Sequence, residues 1–140
     1  MKKTPEINQG INAKQIVLTY WQAMRSNDFF AASKYLSDDF RCEWPQSNEV
    51  IKGRDNFAKL NSHYPANDSW TFQLNSIIAE ENQVVTDVTI SDGTRTDRAI
   101  TFHTIDIEAQ LIVKQVEYWP ENYSAPDWRA KWVEKLTDRV

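Results

Sequence analysis

The chain has 140 residues, 41% of them hydrophobic, which is enough for one ordinary core and too little for two. Its net charge of -4 comes without any run of Lys and Arg, and that excludes the electrostatic footprint of a nucleic-acid binder. A lone cysteine, Cys42, excludes an intramolecular disulfide and a Cys-based zinc site, and no segment approaches a membrane span; the expectation is a soluble, cytoplasmic protein with no membrane partner.

The first eleven residues are polar and carry Pro5 and Gly10, so they read as a flexible lead-in to a single domain over residues 12–140. From Asn12, a plausible N-cap, "NAKQIVLTYWQAMRSN" sets Ile16, Tyr20 and Met24 on one stripe with Val17 and Trp21 beside it, the spacing of an amphipathic helix. A second helix, "DFFAASKYLS", follows Asp28, with Phe29 or Phe30, Ala32 or Ser33, and Leu36 facing inward. The period then changes. In "DDFRCEWPQ", Phe40, Cys42 and Trp44 alternate with Arg41 and Glu43, which predicts a short strand ended by Pro45. "KGRDNFAKLNSHYP" reads as a turn at Gly53 and a third helix that carries Asp55 in its first turn, Phe57 and Leu60 at helical spacing, and Pro65 as a stop.

From Trp70 to Trp119 the pattern is that of strands. "WTFQLNSIIAE", "QVVTDVTIS", "RAITFHTIDI" and "QLIVKQVEYW" are separated by short polar breaks, so consecutive antiparallel hairpins are expected. After Pro120 a final helix is predicted, with Pro126 in its first turn and Trp128, Trp132 and Leu136 recurring every four residues. Helices followed by a long meander make an α+β domain with helices on one sheet face. A sheet that curls around them leaves a conical space, a usual place for a ligand. Six Trp, five Tyr and six Phe supply either aromatic walls for that space or simply an aromatic core.

The order of elements, together with "FRCEWPQSNEVIKGRDNFAKLNSHYP" and "VEYWPENYSAPDWRAKWVEKL", resembles the nuclear transport factor 2-like superfamily in its SnoaL-like, polyketide cyclase-like branch, and within it a bacterial subgroup whose members are mostly of unknown function. The resemblance runs from about Asn12 to the C-terminus. It implies a cystatin-like cone, in which a strongly curved antiparallel sheet wraps around the N-terminal helices, with a further helix at the C-terminus. Enzymes of the superfamily, among them ketosteroid isomerase, scytalone dehydratase and limonene epoxide hydrolase, use a carboxylate inside the cone, sometimes with His, Tyr or Arg. Other members bind ligands or partners without chemistry, and many pair as homodimers through the convex sheet face. No catalytic set of those enzymes matches this chain residue by residue, so the resemblance carries the fold and not an activity. Where relatives place Gly in the last hairpin this chain has "EAQ", which leaves the register of its last two strands open.

Candidates for acid-base work are Glu117, Asp87 and His103. A carboxylate in an apolar site has its pKa raised toward working pH, and an oxyanion then needs a donor such as Tyr or Trp N–H. Glu117 lies between Tyr118 and Trp119, close to where several superfamily enzymes hold a functional carboxylate; the competing reading is that it bonds an Arg or a backbone N–H and orders the strand end. Asp87 interrupts "VVTDVTI", and its competing reading is an outward-facing partner of Arg98 across a two-residue turn at Asp92-Gly93. That turn puts Asp87 and His103 on opposite faces, so they are not a dyad. Tyr20, Trp44, Gln46 and Trp119 are the candidate ligand-binding residues, Gln46 as an amide donor near the mouth.

No metal site is expected, since His63 and His103 lie in different elements without HxH or HExxH spacing, and three glycines in no phosphate-binding pattern speak against a nucleotide cofactor. Two functions stand. One is a cofactor-free isomerase, cyclase or dehydratase acting on a small, largely apolar or aromatic ligand; the other is a dimeric ligand-binding or interaction module.

Overall fold

The computed structural model describes residues 6–137. In chain order it has α1 (Glu6–Met24), α2 (Phe29–Ser33), β1 (Leu36–Trp44), β2 (Glu49–Lys52), α3 (Arg54–His63), β3 (Thr71–Glu80), β4 (Gln83–Ser91), β5 (Thr96–Asp106) and β6 (Leu111–Tyr118). A 3-10 helical stretch, Asp127–Trp132, follows. The α+β class stands, with the helices against one face of the sheet through α1 on β3, β4 and β6 and α3 on β1.

The sheet departs from the expected cone. It is open, with order β2-β1-β6-β5-β4-β3 and edges at β2 and β3. It is also mixed, because β1 runs parallel to β6 while the other neighbours are antiparallel. The strongly curved, wholly antiparallel sheet is therefore corrected to an open mixed one. Alternating apolar residues announce a strand but not its direction relative to a distant partner, and β1 and β6 are joined through most of the domain rather than by a tight turn.

Further differences have local causes. Helix α1 begins at Glu6, so Asn12 lies inside it; Gly10 lets the helix pass the turn between β3 and β4, where a Cβ would sit 3.5 Å from the Glu81 nitrogen. Helix α2 ends at Ser33, capped by Asp28, whose Oδ1 accepts from the Ala31 N–H at 3.0 Å. Leu36 belongs to the strand that follows, where it is fully buried. Strand β2 was hidden in the "NEVIK" run; it pairs with β1 across a turn in which Asn48 takes φ 59. Gly53, at φ 84, precedes α3 and donates its N–H to the Phe40 carbonyl at 2.6 Å.

The predicted C-terminal helix is the 3-10 stretch, and it buries nothing: Trp128 is 73% exposed, Trp132 72% and Leu136 93%. An i, i+4 apolar stripe needs a surface to cover it, and a short helix without one is marginal in water. No helix among the described residues is long and apolar enough to cross a membrane.

A bulge decides what β6 offers the core. Thr104 faces Lys114 but Ile105 faces Ile112, so the register slips by one at Val113. Ile112, Gln115 and Glu117 consequently all point to the helix-covered face. The turn before it uses Gln110 at φ 58, a left-handed position taken here by a residue with a side chain.

Candidate functional site

At one end of the domain, where β1, β4 and β6 stop and β3 and β5 start, the sheet and the helices leave a pocket of about 50 Å³. Nine of its fifteen lining residues are aromatic. Helix α1 supplies Tyr20 and Trp21, α3 supplies Phe57, and the strand ends supply Trp44, Phe72 and Glu117. Trp119 closes one side, with Tyr64 and Trp70 at the mouth.

Glu117 is the buried polar group of this pocket, 8% exposed. Its Oε2 accepts from the Thr101 hydroxyl at 2.6 Å and its Oε1 from the Trp44 indole N–H at 3.0 Å. Both donors are neutral, and the alternative in which an Arg or a backbone N–H holds this carboxylate is not what the structure has. Burial pushes the carboxyl above its ordinary range, against the weaker downward pull of hydrogen bonds from Thr101, Trp44 and Trp119. Tyr20 packs edge-on to Trp21 and also lines the pocket; burial, and next the nearby Glu117, raise its phenol well above the usual value, so it stays an O–H donor.

His103 faces the same side of the sheet but lies deeper and does not line the pocket. Its Nε2 meets Thr86 Oγ1 at 2.9 Å and its Nδ1 meets Gln115 Nε2 at 3.1 Å, while Thr86 Oγ1 also accepts from the Trp21 indole at 3.2 Å. With the Gln115 amide donating to Nδ1, the proton sits on Nε2. Burial lowers its pKa to about 3, so the ring is neutral.

Asp87 lies on the opposite face, with both carboxylate oxygens held by Arg98 and one also by Asn75. Arg98 stands opposite Thr89 rather than Asp87, so the pair is diagonal across the hairpin. The loop between β4 and β5 holds four residues instead of two, which preserves parity and keeps Asp87 and His103 on opposite faces. Gln46 sits outside the pocket proper. Its amide donates to the Trp119 carbonyl at 3.1 Å and accepts from the Trp119 N–H, clamping the residue after β6 to the turn after β1.

Arg95 and Asp97 were missed in the sequence, where they fell in a polar break. The Arg95 Nε is 2.8 Å from Asp97 Oδ2, and the guanidinium lies 5.6 Å from the Tyr64 ring centre and 5.8 Å from that of Trp70. The available signal was parity: in "TRTDRAITFH", Asp97 shares its alternation with Ala99, Thr101 and His103. Among the described residues, no group of three or more His, Cys, Asp and Glu is placed to hold a metal.

The sequence pattern of the SnoaL-like domain matches residues 17–109. Among solved structures, a proposed ketosteroid isomerase from Kribbella flavida superposes with a TM-score of 0.84 at 22% identity, over 93% of each chain. An NTF-2 like protein of unknown function from Burkholderia xenovorans superposes at 0.75 with 29% identity, over 92% of this chain and 98% of that one. An LEH-like epoxide hydrolase from M. tuberculosis gives 0.66 at 20% identity, over 84% of this chain and 83% of that one. No curated protein matches.

Proposed function

The chain belongs to the SnoaL-like domain family, and from that premise we propose that its pocket binds a small, largely apolar ligand and uses Glu117 for cofactor-free acid-base chemistry of the isomerase, cyclase or dehydratase kind. One observation carries the reading: a carboxylate enclosed by aromatic rings, bonded only to neutral donors and shifted upward by burial. In an isomerisation, Glu117 removes a proton from carbon next to a carbonyl, the electron pair moves onto the carbonyl oxygen, and the Tyr20 O–H donates to the resulting oxyanion. The proton then returns from Glu117 to another carbon, so nothing is consumed. Asp87, on the far face and paired with Arg98, has no part in this scheme, and His103 acts only by fixing Gln115 beneath the pocket.

The pocket's size bounds the ligand. About 50 Å³ is room for a few waters, so a bulky ligand enters only if Tyr64, 42% exposed, and Trp119 swing outward. A thermal-shift screen of small carbonyl and aromatic compounds tests the reading. A ligand present at about 100 times its Kd is expected to add about 2.7 kcal/mol of stability. Silence across such a set, with Trp fluorescence unmoved, argues against a ligand pocket.

The dimeric reading has its own support on the outer sheet face. Ile78, Val85, Phe102 and Val116 form one apolar row across four strands, with Ile78 69% and Phe102 45% exposed. Tyr118 packs edge-on against Phe102. We read this row as the seat of a second copy in a cytoplasmic homodimer. Sedimentation is expected to give a dimer for the native chain and a monomer for Phe102→Asp; a native monomer at micromolar concentration sinks the idea.

A further inference from the structure

We propose that the pocket receives the head of an alkylammonium ligand, a quaternary or tertiary amine cation, with Glu117 as its counter-charge and the surrounding rings as its walls. This rests on the reading of the pocket as a ligand site and names the ligand's chemistry.

The lining is aromatic without being neutral. Its charged members are Glu117, Asp97 and Arg95, one carboxylate more than cations. Indole and phenol faces carry negative potential, and a cation set among several of them beside a carboxylate is attracted by both. The protein already uses this attraction at the mouth, where Arg95 lies over Tyr64 and Trp70 while bonded to Asp97. Deeper in, Glu117 has no cation paired with it among the described residues. Its hydrogen bonds come from neutral donors, the Thr101 hydroxyl and the Trp44 and Trp119 side chains, and none of them balances its charge.

Hydrogen-bonding capacity narrows the class. A trimethylammonium head needs no acceptors, only the carboxylates as counter-charge, and it enters with the outward swing of Tyr64 and Trp119 that any ligand larger than a few waters requires. An anionic head would face Glu117 with like charge.

The test is titration calorimetry with choline and with dimethylbutanol, its uncharged carbon isostere. Choline is expected to bind at least about tenfold tighter, a factor within the range of ring-cation attraction. Glu117→Gln is expected to abolish most of that preference while leaving the isostere's affinity unchanged, and Asp97→Asn to reduce it by a smaller factor. Equal binding of the two probes overturns the cation assignment and leaves the pocket reading intact. Choline binding that ignores both substitutions lies elsewhere and overturns it too. If neither probe binds, the inference is wrong; the pocket reading then stands or falls separately, on the neutral-compound screen.

Discussion

Lowering the pH from about 6.5 toward 3 is expected to destabilise the protein through His103 by about 1.4 kcal/mol per pH unit, reaching about 5 kcal/mol in all. The sign follows from which state binds the proton. Unfolded His takes one up near 6.5, whereas the buried ring, held between Thr86 and Gln115 with no carboxylate bonded to it, does so only near 3. The contribution is therefore fully present above 6.5 and is lost as pH falls below it. Glu117 acts in the opposite sense. Its folded pKa is raised above 4.5, so its stabilisation is present below that value and disappears as pH rises through the folded pKa. Urea unfolding of Glu117→Gln between pH 7 and 4.5 isolates the histidine, because Asp87 and Asp92, both shifted downward from 3.8, contribute only at lower pH. A native-state His103 resonance titrating near 6.5 would disprove the assignment. About half of that loss, roughly 3 kcal/mol, is already reached by pH 4.5, so the fall in stability is expected to set in above the carboxylate range.

Glu117→Gln is expected to lower turnover by about 10²- to 10⁴-fold once a substrate is in hand, the usual worth of a positioned base. Affinity for a neutral ligand should change by less than about threefold, since the amide keeps the shape and still offers one oxygen to Thr101 or Trp44. Glu117→Ala differs in kind. It strands the Trp44 N–H and the Thr101 O–H without an acceptor, and leaving such buried donors unpaired costs about 1–3 kcal/mol each. Steady-state kinetics on the Gln variant, alongside its thermal unfolding, separates the two effects. A Gln variant with full turnover would remove Glu117 from the chemistry and leave the pocket as a binding site only.

The sequence by itself determined the order of helices and strands apart from β2, and the inward residues of the regular runs between α1 and β6. Phe40 and Cys42 on β1, Val84 and Val88 on β4, and Val17 and Tyr20 on α1 are buried as their spacing requires, because 2.0 and 3.6 residue periods are local properties of the backbone. The residues named for the site from such runs, Tyr20, Trp44, Glu117 and Trp119, do come together around one pocket, although their role there awaits the experiments above. Tertiary structure decided what periodicity cannot carry. The bulge at Val113 sets Ile112 and Glu117 on one face although their numbers differ in parity, and the four-residue loop before β5 brings Asp97 to the pocket mouth. The parallel pairing of β1 with β6 and the short β2 depend on partners far away in the chain. The C-terminal stripe, regular as it is, stays outside the core because no surface of the described chain covers it. Periodicity fixes which side of an element is apolar; register slips, strand direction and the presence of a partner surface are settled only when distant segments pack.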